Sequence, residues 1–527
     1  MGVMDHIWLG VSAVFQGPEM FSLLGVSISV TLVMILGGFL TGITVGATPG
    51  LAGPIAMAIS LPILISIFGF SDDALLPVLG FLIGIMKGAT VGGAVPAILF
   101  NTPGTPDAYM TTLDGYPMTQ KGQAKKALKV AHFSSVTGDT FSDLVLLICA
   151  PFLAILVEGY LDLPEKAALL ILSLAFIASV IGGSVAKGLI SMGLGLLAAF
   201  VATGEDFYPR LTMGSQEMAQ GFPIATALLG VLIIGEIFKS LEDAYQGDRG
   251  PRIAQSSGKT TTSTFGWVDI RRIAPYLAKS SIVGTCIGAL PGVGSTLAAT
   301  IGYTSGKRRH DKRAGADDPK FGEGAIEGIA ATEAANSSVS GANLIPVLSL
   351  GIPGNAAAVF LILAMESIGG FNPGPRVFTI PQTGINPELV AAFGIFTAMF
   401  VANAFNWTIG GAFMRAMGIM VRVPKHVLLP IVLLLTLTAI YVQEARMIAI
   451  VFAIGFGVLG YLMRRIGMSP LPFVIAFILG GRLEDTARQA FSATGSDPFF
   501  LFSSVICWVF MISAVLVVVL NLRTVKA

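Results

Sequence analysis

The sequence predicts an all-α, polytopic membrane protein made of two inverted-topology repeats, with about 12 to 15 membrane segments, some of them broken or re-entrant helical hairpins. Three observations carry that expectation. Only 12% of the 527 residues are charged while 54% are hydrophobic, against roughly 25% charged in soluble domains. A helix-breaking phrase, Gly46-Ala47-Thr48-Pro49-Gly50, returns as Gly288-Ala289-Leu290-Pro291-Gly292, and Asn101-Thr102-Pro103-Gly104-Thr105-Pro106 pairs with Gly351-Ile352-Pro353-Gly354-Asn355-Ala356. The loops that follow corresponding phrases carry opposite charge bias.

The mean hydropathy is +0.79, and several runs exceed the roughly 18 apolar residues that mark a spanning helix. The 63 glycines and 28 prolines suit this class, because membrane helices tolerate both where neighbours re-satisfy the backbone. A net charge of +1 with no long basic stripe gives no sign of nucleic-acid binding. Cys149, Cys286 and Cys507 lie far apart in apolar surroundings, with neither a disulfide framework nor a zinc spacing. The N-terminus lacks a basic region, and its first apolar run is too long for a cleavable signal.

Taken in order, residues 1–20 read as a peripheral N-terminal segment. The first repeat, 21–242, holds apolar segments at about 21–45, 48–70, 74–118 (long and broken), 131–159, 165–185, 187–204 and 222–241. A polar linker, 243–272, separates it from the second repeat, 273–522, and a short tail, 523–527, closes the chain. The second repeat holds segments at about 274–290, 292–306, 334–370 (again broken), 388–417, 425–442, 447–463, 466–481 and 499–520.

Lysine and arginine set the orientation. Lys121, Lys125, Lys126 and Lys129, the linker's Arg249, Arg252, Arg271 and Arg272, and Lys307-Arg308-Arg309 mark cytoplasmic loops, while Asp72-Asp73, Glu205-Asp206 and Leu483 to Asp485 mark the opposite side. Alternation then leaves the N-terminus outside and the C-terminus inside. The loop after the first Gly-Ala-x-Pro-Gly phrase is acidic, whereas its counterpart from Lys307 to Arg313 is basic, so the halves are expected to be inverted. Gly46 to Ile59 and Gly288 to Ile301 share six of fourteen residues, Pro96 pairs with Pro346, and Leu163-Pro164 pairs more weakly with Val423-Pro424.

Broken apolar segments in matching places of two halves point to a transporter's binding site. A Pro-Gly pair removes a backbone donor and lets the chain turn. The freed amides and carbonyls cannot face lipid, and opposed helix ends suit a carboxylate and Na⁺ respectively. Thr48, Pro49, Gly50, Asn101, Thr102, Gly104, Thr105, Gly292, Ser295, Asn343, Gly354 and Asn355 are therefore the candidate substrate-binding residues. Gly46, Thr48, Asn101, Gly288, Asn336, Ser337 and Ser340 are the candidate Na⁺ ligands, with Thr296 and Ser338 in the same oxygen-rich surroundings. A Pro or Gly can instead mark a kink or a close helix crossing. Asp139 and Asp143, at the head of a membrane segment, are expected to be interfacial or cap-like. Glu333 is the better placed of Glu327 and Glu333 for an intramembrane role. Lys87 either attracts an anion or snorkels and pairs.

At these residues the chain resembles the large membrane subunit of the tripartite tricarboxylate transporters. The resemblance rests on Gly-Ala-Thr-Pro-Gly-Leu at 46–51, Asn-Thr-Pro-Gly-Thr-Pro at 101–106, Asp-Gly-Tyr-Pro-Met at 114–118, Ala-Leu-Pro-Gly-Val-Gly at 289–294 and Phe-Gly-Glu-Gly at 321–324. Glu-Gly-Ile-Ala-Ala-Thr-Glu-Ala-Ala-Asn at 327–336, Leu-Gly-Ile-Pro-Gly-Asn at 350–355 and Pro-Gly-Pro at 373–375 complete it, from about residue 20 to 520. The resemblance implies a bacterial inner-membrane secondary transporter of tricarboxylates or related carboxylates, citrate among them. It also implies Na⁺ as coupling ion with no other cofactor, a small four-helix membrane subunit, and a periplasmic solute-binding protein as partners.

Catalysis finds little support, since no nucleophile triad, phosphate loop, dinucleotide motif or histidine–carboxylate metal spacing is present. The rival readings are a channel or stand-alone carboxylate transporter, which would not depend on a binding protein, and an intramembrane enzyme, which would need an essential histidine or acidic pair and would be favoured if replacing His132 and His310 together abolished activity.

Overall fold

The computed structural model describes residues 2–23, 26–48, 51–181, 184–201, 210–212, 214–219, 221–245, 265–312, 318–381, 384–417 and 425–524. Pro49 and Gly50, the loop at Glu205-Asp206, and residues 246–264 of the expected linker lie outside them.

In chain order the first helices are α1 (Val3–Phe15), α2 (Val30–Gly46), α3 (Gly53–Phe68), α4 (Asp72–Phe100), α5 (Tyr109–Gln120) and α6 (Ala124–Tyr160). Next come α7 (Leu163–Val180), α8 (Val185–Ala199), α9 (Ile224–Leu229) and α10 (Gly235–Tyr245), then α11 (Trp267–Gly288) and α12 (Gly294–His310). They are followed by α13 (Ile326–Ala342), α14 (Leu344–Leu350), α15 (Ala356–Ser367), α16 (Pro387–Phe405) and α17 (Gly411–Ala416). The last are α18 (Lys425–Glu444), α19 (Met447–Arg465), α20 (Leu471–Ala493) and α21 (Val505–Thr524). Among the described residues, seven helices are long and apolar enough to cross a membrane, and six shorter apolar helices accompany them. This is the expected all-α polytopic class.

Several boundaries differ from expectation: α6 starts at Ala124 and not near 131, and α20 runs on to Ala493 and not to about 481. The first membrane helix begins at Val30, not near residue 21, because an antiparallel hairpin of β1 (Glu19–Leu23) and β2 (Val26–Ser29) precedes it. Val26-Ser27-Ile28-Ser29 alternates apolar and polar residues, a period of two that suits a strand. Ser29 then caps α2, its hydroxyl accepting from the Leu32 amide at 3.2 Å.

The chain forms two compact units that do not coincide with the repeats. The first comprises Met1–Ala154, Arg249–Leu290 and Gly294–Lys425; the second comprises Ile155–Asp248, Pro291–Val293 and His426–Ala527. At the centre of the first unit, α4 has 83% of its most apolar window buried. It lies along α2 in backbone contact. A Cβ at Gly42 would sit 2.5 Å from the Ile85 carbonyl oxygen, one at Gly84 2.5 Å from that of Ile35, and Gly38, Gly46, Gly88 and Gly92 meet facing carbonyls in the same way. Glycines four apart on both helices make this approach possible. In the second half α11 and α13 pack likewise, with Gly284 against the Ala335 carbonyl and Gly288 against Val339 and Ala342. The halves also exchange their ends, since α15 packs on α3 and α4 while α5 packs on α12 and α13.

In the second unit α7 and α8 pack on α20 and α21, and α9 and α10 pack on α19. A π-helical turn, Gly230–Ile234, joins α9 to α10. Such a turn shifts carbonyls out of their usual pairing. Arg464 collects two of them, donating to Val231 O at 2.7 Å and Leu232 O at 2.9 Å while pairing with Glu236 at 2.7 Å. Only 11% of the apolar window of α21 is buried, which marks it as a peripheral helix.

Candidate functional site

The two broken segments share one local geometry. Helix α4 ends at Asn101, which adopts left-handed φ/ψ of 53° and 30°, and α14 ends at Gly351 with 70° and 24°. Beyond each cap the next amide reaches back to a proline carbonyl: Thr102 N–H to Pro96 O at 3.2 Å, and Ile352 N–H to Pro346 O at 3.2 Å. Glycine and asparagine tolerate this conformation best, which explains why those two residues stand there. Pro96 and Pro346 lie inside helices, and the helices stop within a turn and a half of them.

Each break is then pinned to the end of its neighbouring helix. In the first half Gly104 donates its amide to Gly93 O at 3.2 Å, and a Cβ on Gly104 would collide with the Gly46 carbonyl oxygen. In the second half a Cβ on Gly354 would lie 2.6 Å from Asn343 Oδ1 and 3.9 Å from the Gly288 carbonyl oxygen. Gly93 and Asn343 are repeat mates, as are Gly104 and Gly354 and also Gly46 and Gly288, by the pairing of the duplicated phrases. The structure therefore brings together Gly46, Gly104 and Thr105 in one junction and Gly288, Asn343 and Gly354 in the other. Gly292 belongs to the second compact unit, where its position at φ +82° sits against Ile177.

Side chains at these junctions divide into used and unused groups. Thr48 back-bonds to Thr44 O at 2.8 Å, and Thr102 donates to Phe100 O at 3.2 Å. Asn355 caps α15, its Oδ1 accepting from the Ala358 amide at 2.9 Å. Ser340 donates to Asp139 at 3.0 Å and to Ser337 O at 2.7 Å, and Ser338 donates to Gly138 O at 2.9 Å. Asn101 is exposed, and Ser295 is half-buried. By contrast both side-chain polar atoms of Asn336 and Asn343, and the hydroxyls of Ser337 and Thr105, are buried without a partner among the described residues. Buried polar atoms are almost always hydrogen-bonded. An unpartnered set of this kind fits a ligand or ordered water.

Sequence reasoning placed the nearby charges less well. Asp139 and Asp143 are neither interfacial nor caps. Helix α6 starts at Ala124, several turns before them, and both are almost fully buried. Lys87, fully buried in α4, donates to Asp139 at 2.8 Å, Asp143 at 2.7 Å and Asn403 Oδ1 at 3.3 Å, and Asn403 Nδ2 donates to Asp143 at 2.7 Å. Of the two roles expected for Lys87, pairing is the one observed. Glu333 is fully buried and accepts from the hydroxyls of Thr111 and Ser135, the latter at 2.7 Å. Glu327 pairs with Arg272, which also reaches Asp318 at 3.0 Å.

One contact unmarked in the sequence joins two of its motifs. Asp114 Oδ1 accepts three backbone amides, from Gly322 and Gly324 at 2.9 Å and Ala325 at 2.8 Å. The Asp-Gly-Tyr-Pro phrase of α5 thus holds the Phe-Gly-Glu-Gly loop that leads into α13. Gly322 and Gly324, at φ +91° and +99°, let three amides of one short loop converge on one carboxylate oxygen, while the Glu323 amide turns back to Lys320 O.

These features define a helical membrane protein whose paired, pinned helix breaks are those of a solute carrier. The profile of the tripartite tricarboxylate transporter TctA family matches residues 32–475, and the chain belongs to that family. It is the membrane component of such a system. It is similar to an uncharacterized 52.8 kDa protein in the TAR-I ttuC' 3' region of Agrobacterium vitis, with 32% identity over 475 residues, covering 89% of this chain and 88% of the relative. A protein in the TAR-II ttuC' 3' region of the same organism is 30% identical over 218 residues, covering 41% of this chain and 83% of the relative. No solved structure matches.

Proposed function

We propose that this chain imports a tricarboxylate or related organic carboxylate by Na⁺ symport, with alternating access of the elevator type. The observation that carries the reading is the repeated junction of a helix end and a Pro-Gly break in both halves, closed on Gly93 within α4 and on Asn343 between α13 and α14, with unpartnered polar atoms of Asn336, Ser337 and Asn343 in the second. Amide ends and small-residue backbone suit the carboxylate, and the amide and hydroxyl oxygens suit a hard cation. The repeated turns are supported by near-identical hydrogen bonds, and the opposite charge of the following loops favours inversion of the halves. The protein works in the bacterial inner membrane, N-terminus periplasmic and C-terminus cytoplasmic, with a small four-helix subunit and a periplasmic binding protein that delivers the substrate. It catalyses no covalent chemistry.

The test is uptake of labelled citrate and other tri- and dicarboxylates into proteoliposomes holding both membrane subunits, with binding protein outside. Uptake is expected to require an inward Na⁺ gradient and the binding protein. Uptake that persists unchanged without a Na⁺ or H⁺ gradient and without binding protein overturns the reading.

A further inference from the structure

The charge cluster around Lys87 touches the candidate Na⁺ ligands through Ser340 alone, and Asp143 lies on its far side, bonded to Lys87 and Asn403. The cluster draws on four helices of one compact unit: Lys87 from α4, Asp139 and Asp143 from α6, Ser340 from α13 and Asn403 from α16. No residue of this group is more than slightly exposed. With one ammonium and two carboxylates, the cluster carries one negative charge in excess when every group is ionised. An uncompensated charge away from water is strongly disfavoured, and a buried group neutralises instead. The nearest further titratable groups along the packed helices are Glu333, seven residues before Ser340 on α13, and His132, seven residues before Asp139 on α6, each about 10 Å along its helix; Glu333 is held by Thr111 and Ser135 and His132 by Asn406.

One acceptor in the cluster is vacant. Asp143 Oδ2 takes both Lys87 and Asn403, whereas Asp143 Oδ1 is buried with no partner among the described residues. A Cβ on Gly341 would collide with that oxygen, so little room exists beside it. A hard cation needs several oxygens around it, and the ammonium already fills the space between the two carboxylates. A proton needs neither space nor a shell.

Repeat symmetry sets this place apart. Lys87 and Ser337 are mates by the pairing of Pro96 with Pro346, and Asp143 and Asn403 are mates by the pairing of Leu163 with Val423. Mates that hydrogen-bond each other, as Asp143 and Asn403 do at 2.7 Å, lie where the two halves meet. One mate of each pair is charged and the other neutral.

We propose that Asp143, at its unpartnered Oδ1 in the Lys87 cluster, is a proton-binding site that takes up one proton. Uptake converts one carboxylate to a carboxylic acid and brings the cluster to neutrality, and release restores the excess charge. Coupling of that proton to solute movement rests on the transport reading above; binding of the proton does not.

The test is infrared spectroscopy of the purified full-length chain, reading the carbonyl stretch of protonated carboxylic acids while the pH is changed. Wild-type protein is expected to show such a band that grows as pH falls, and Asp143→Asn to remove one proton's share of it. Glu333→Gln, as control, is expected to leave that component in place. If Asp143→Asn does not fold, Asp143→Glu keeps a carboxyl in the cluster and is expected to move the band. A band that is absent, or unaltered in both Asp143 variants, overturns the proposal and leaves Na⁺-driven uptake untouched.

Discussion

Replacing Lys87 with methionine would keep nearly the same volume in α4 while removing the only cation that faces Asp139 and Asp143 among the described residues. Its ammonium lies 2.8 and 2.7 Å from their oxygens, and all three side chains are at most 3% exposed. Removing one partner of a buried ion pair costs about 3–5 kcal/mol, because the other charge is left without compensation. That shifts the folded-to-unfolded ratio by about two to four orders of magnitude, a large fraction of the stability of most proteins. Heat-dependent loss of the monodisperse peak in detergent, followed by size-exclusion chromatography of a fluorescent fusion, would report it. The triple variant Lys87→Met/Asp139→Asn/Asp143→Asn removes every charge and is expected to recover most of the loss. The deficit of the single variant should narrow as pH falls, since protonation is the remaining way to discharge the carboxylates. A Lys87→Met protein as heat-stable as wild type, or a triple variant no better than the single, would refute the reasoning.

Asn343→Ala and Asn336→Ala are expected to reduce Na⁺-dependent uptake at least tenfold while changing thermal stability little, because their amides have no partner to lose among the described residues; proteoliposome uptake beside a melting curve separates the two effects. Asn355→Ala should cost about 1 kcal/mol through loss of the cap on α15, read as a modest fall in midpoint temperature. Gly42→Val or Gly84→Val should cost at least about 1–3 kcal/mol, since the carbonyls facing each glycine belong to a helix backbone that cannot step aside; normal expression of either variant would count against the close crossing. Gly104→Ala should abolish uptake with a smaller effect on folding, since it disturbs the junction at one end of α2 and not its length.

The helix breaks were legible in the sequence because their cause is local. Pro96 and Pro346 weaken the ladder, and Asn101 and Gly351 follow within five residues as the types for which the left-handed turn is cheapest, so each break is written in one short phrase. The pairing of Lys87 with Asp139 and Asp143 was not legible, for two reasons. Partners 52 and 56 residues apart carry no periodic signal. In addition, Lys125, Lys126 and Lys129 read as a loop, whereas α6 already includes them, with Lys126 anchored to Asp269 at 2.8 Å. Starting the helix too late moved both aspartates to its apparent head. The spacing of Gly38, Gly42 and Gly46 against Gly80, Gly84, Gly88 and Gly92 was visible in one dimension, and its partner helix was not. Asp114 is a similar case: a carboxylate in a broken segment has no mark of the three amides that await it beyond residue 320.

The glycine contact between α2 and α4 also constrains how the molecule can move. Two helices that touch backbone to backbone along several turns have no side chains between them to swing or reshuffle, and they resist sliding because each carbonyl sits in a notch of its neighbour. They form a single stiff strut. The helix end at Gly46 and the break at Asn101 are fixed to that strut, so neither can shift without carrying the other, and any movement of this part of the chain takes both breaks as one piece.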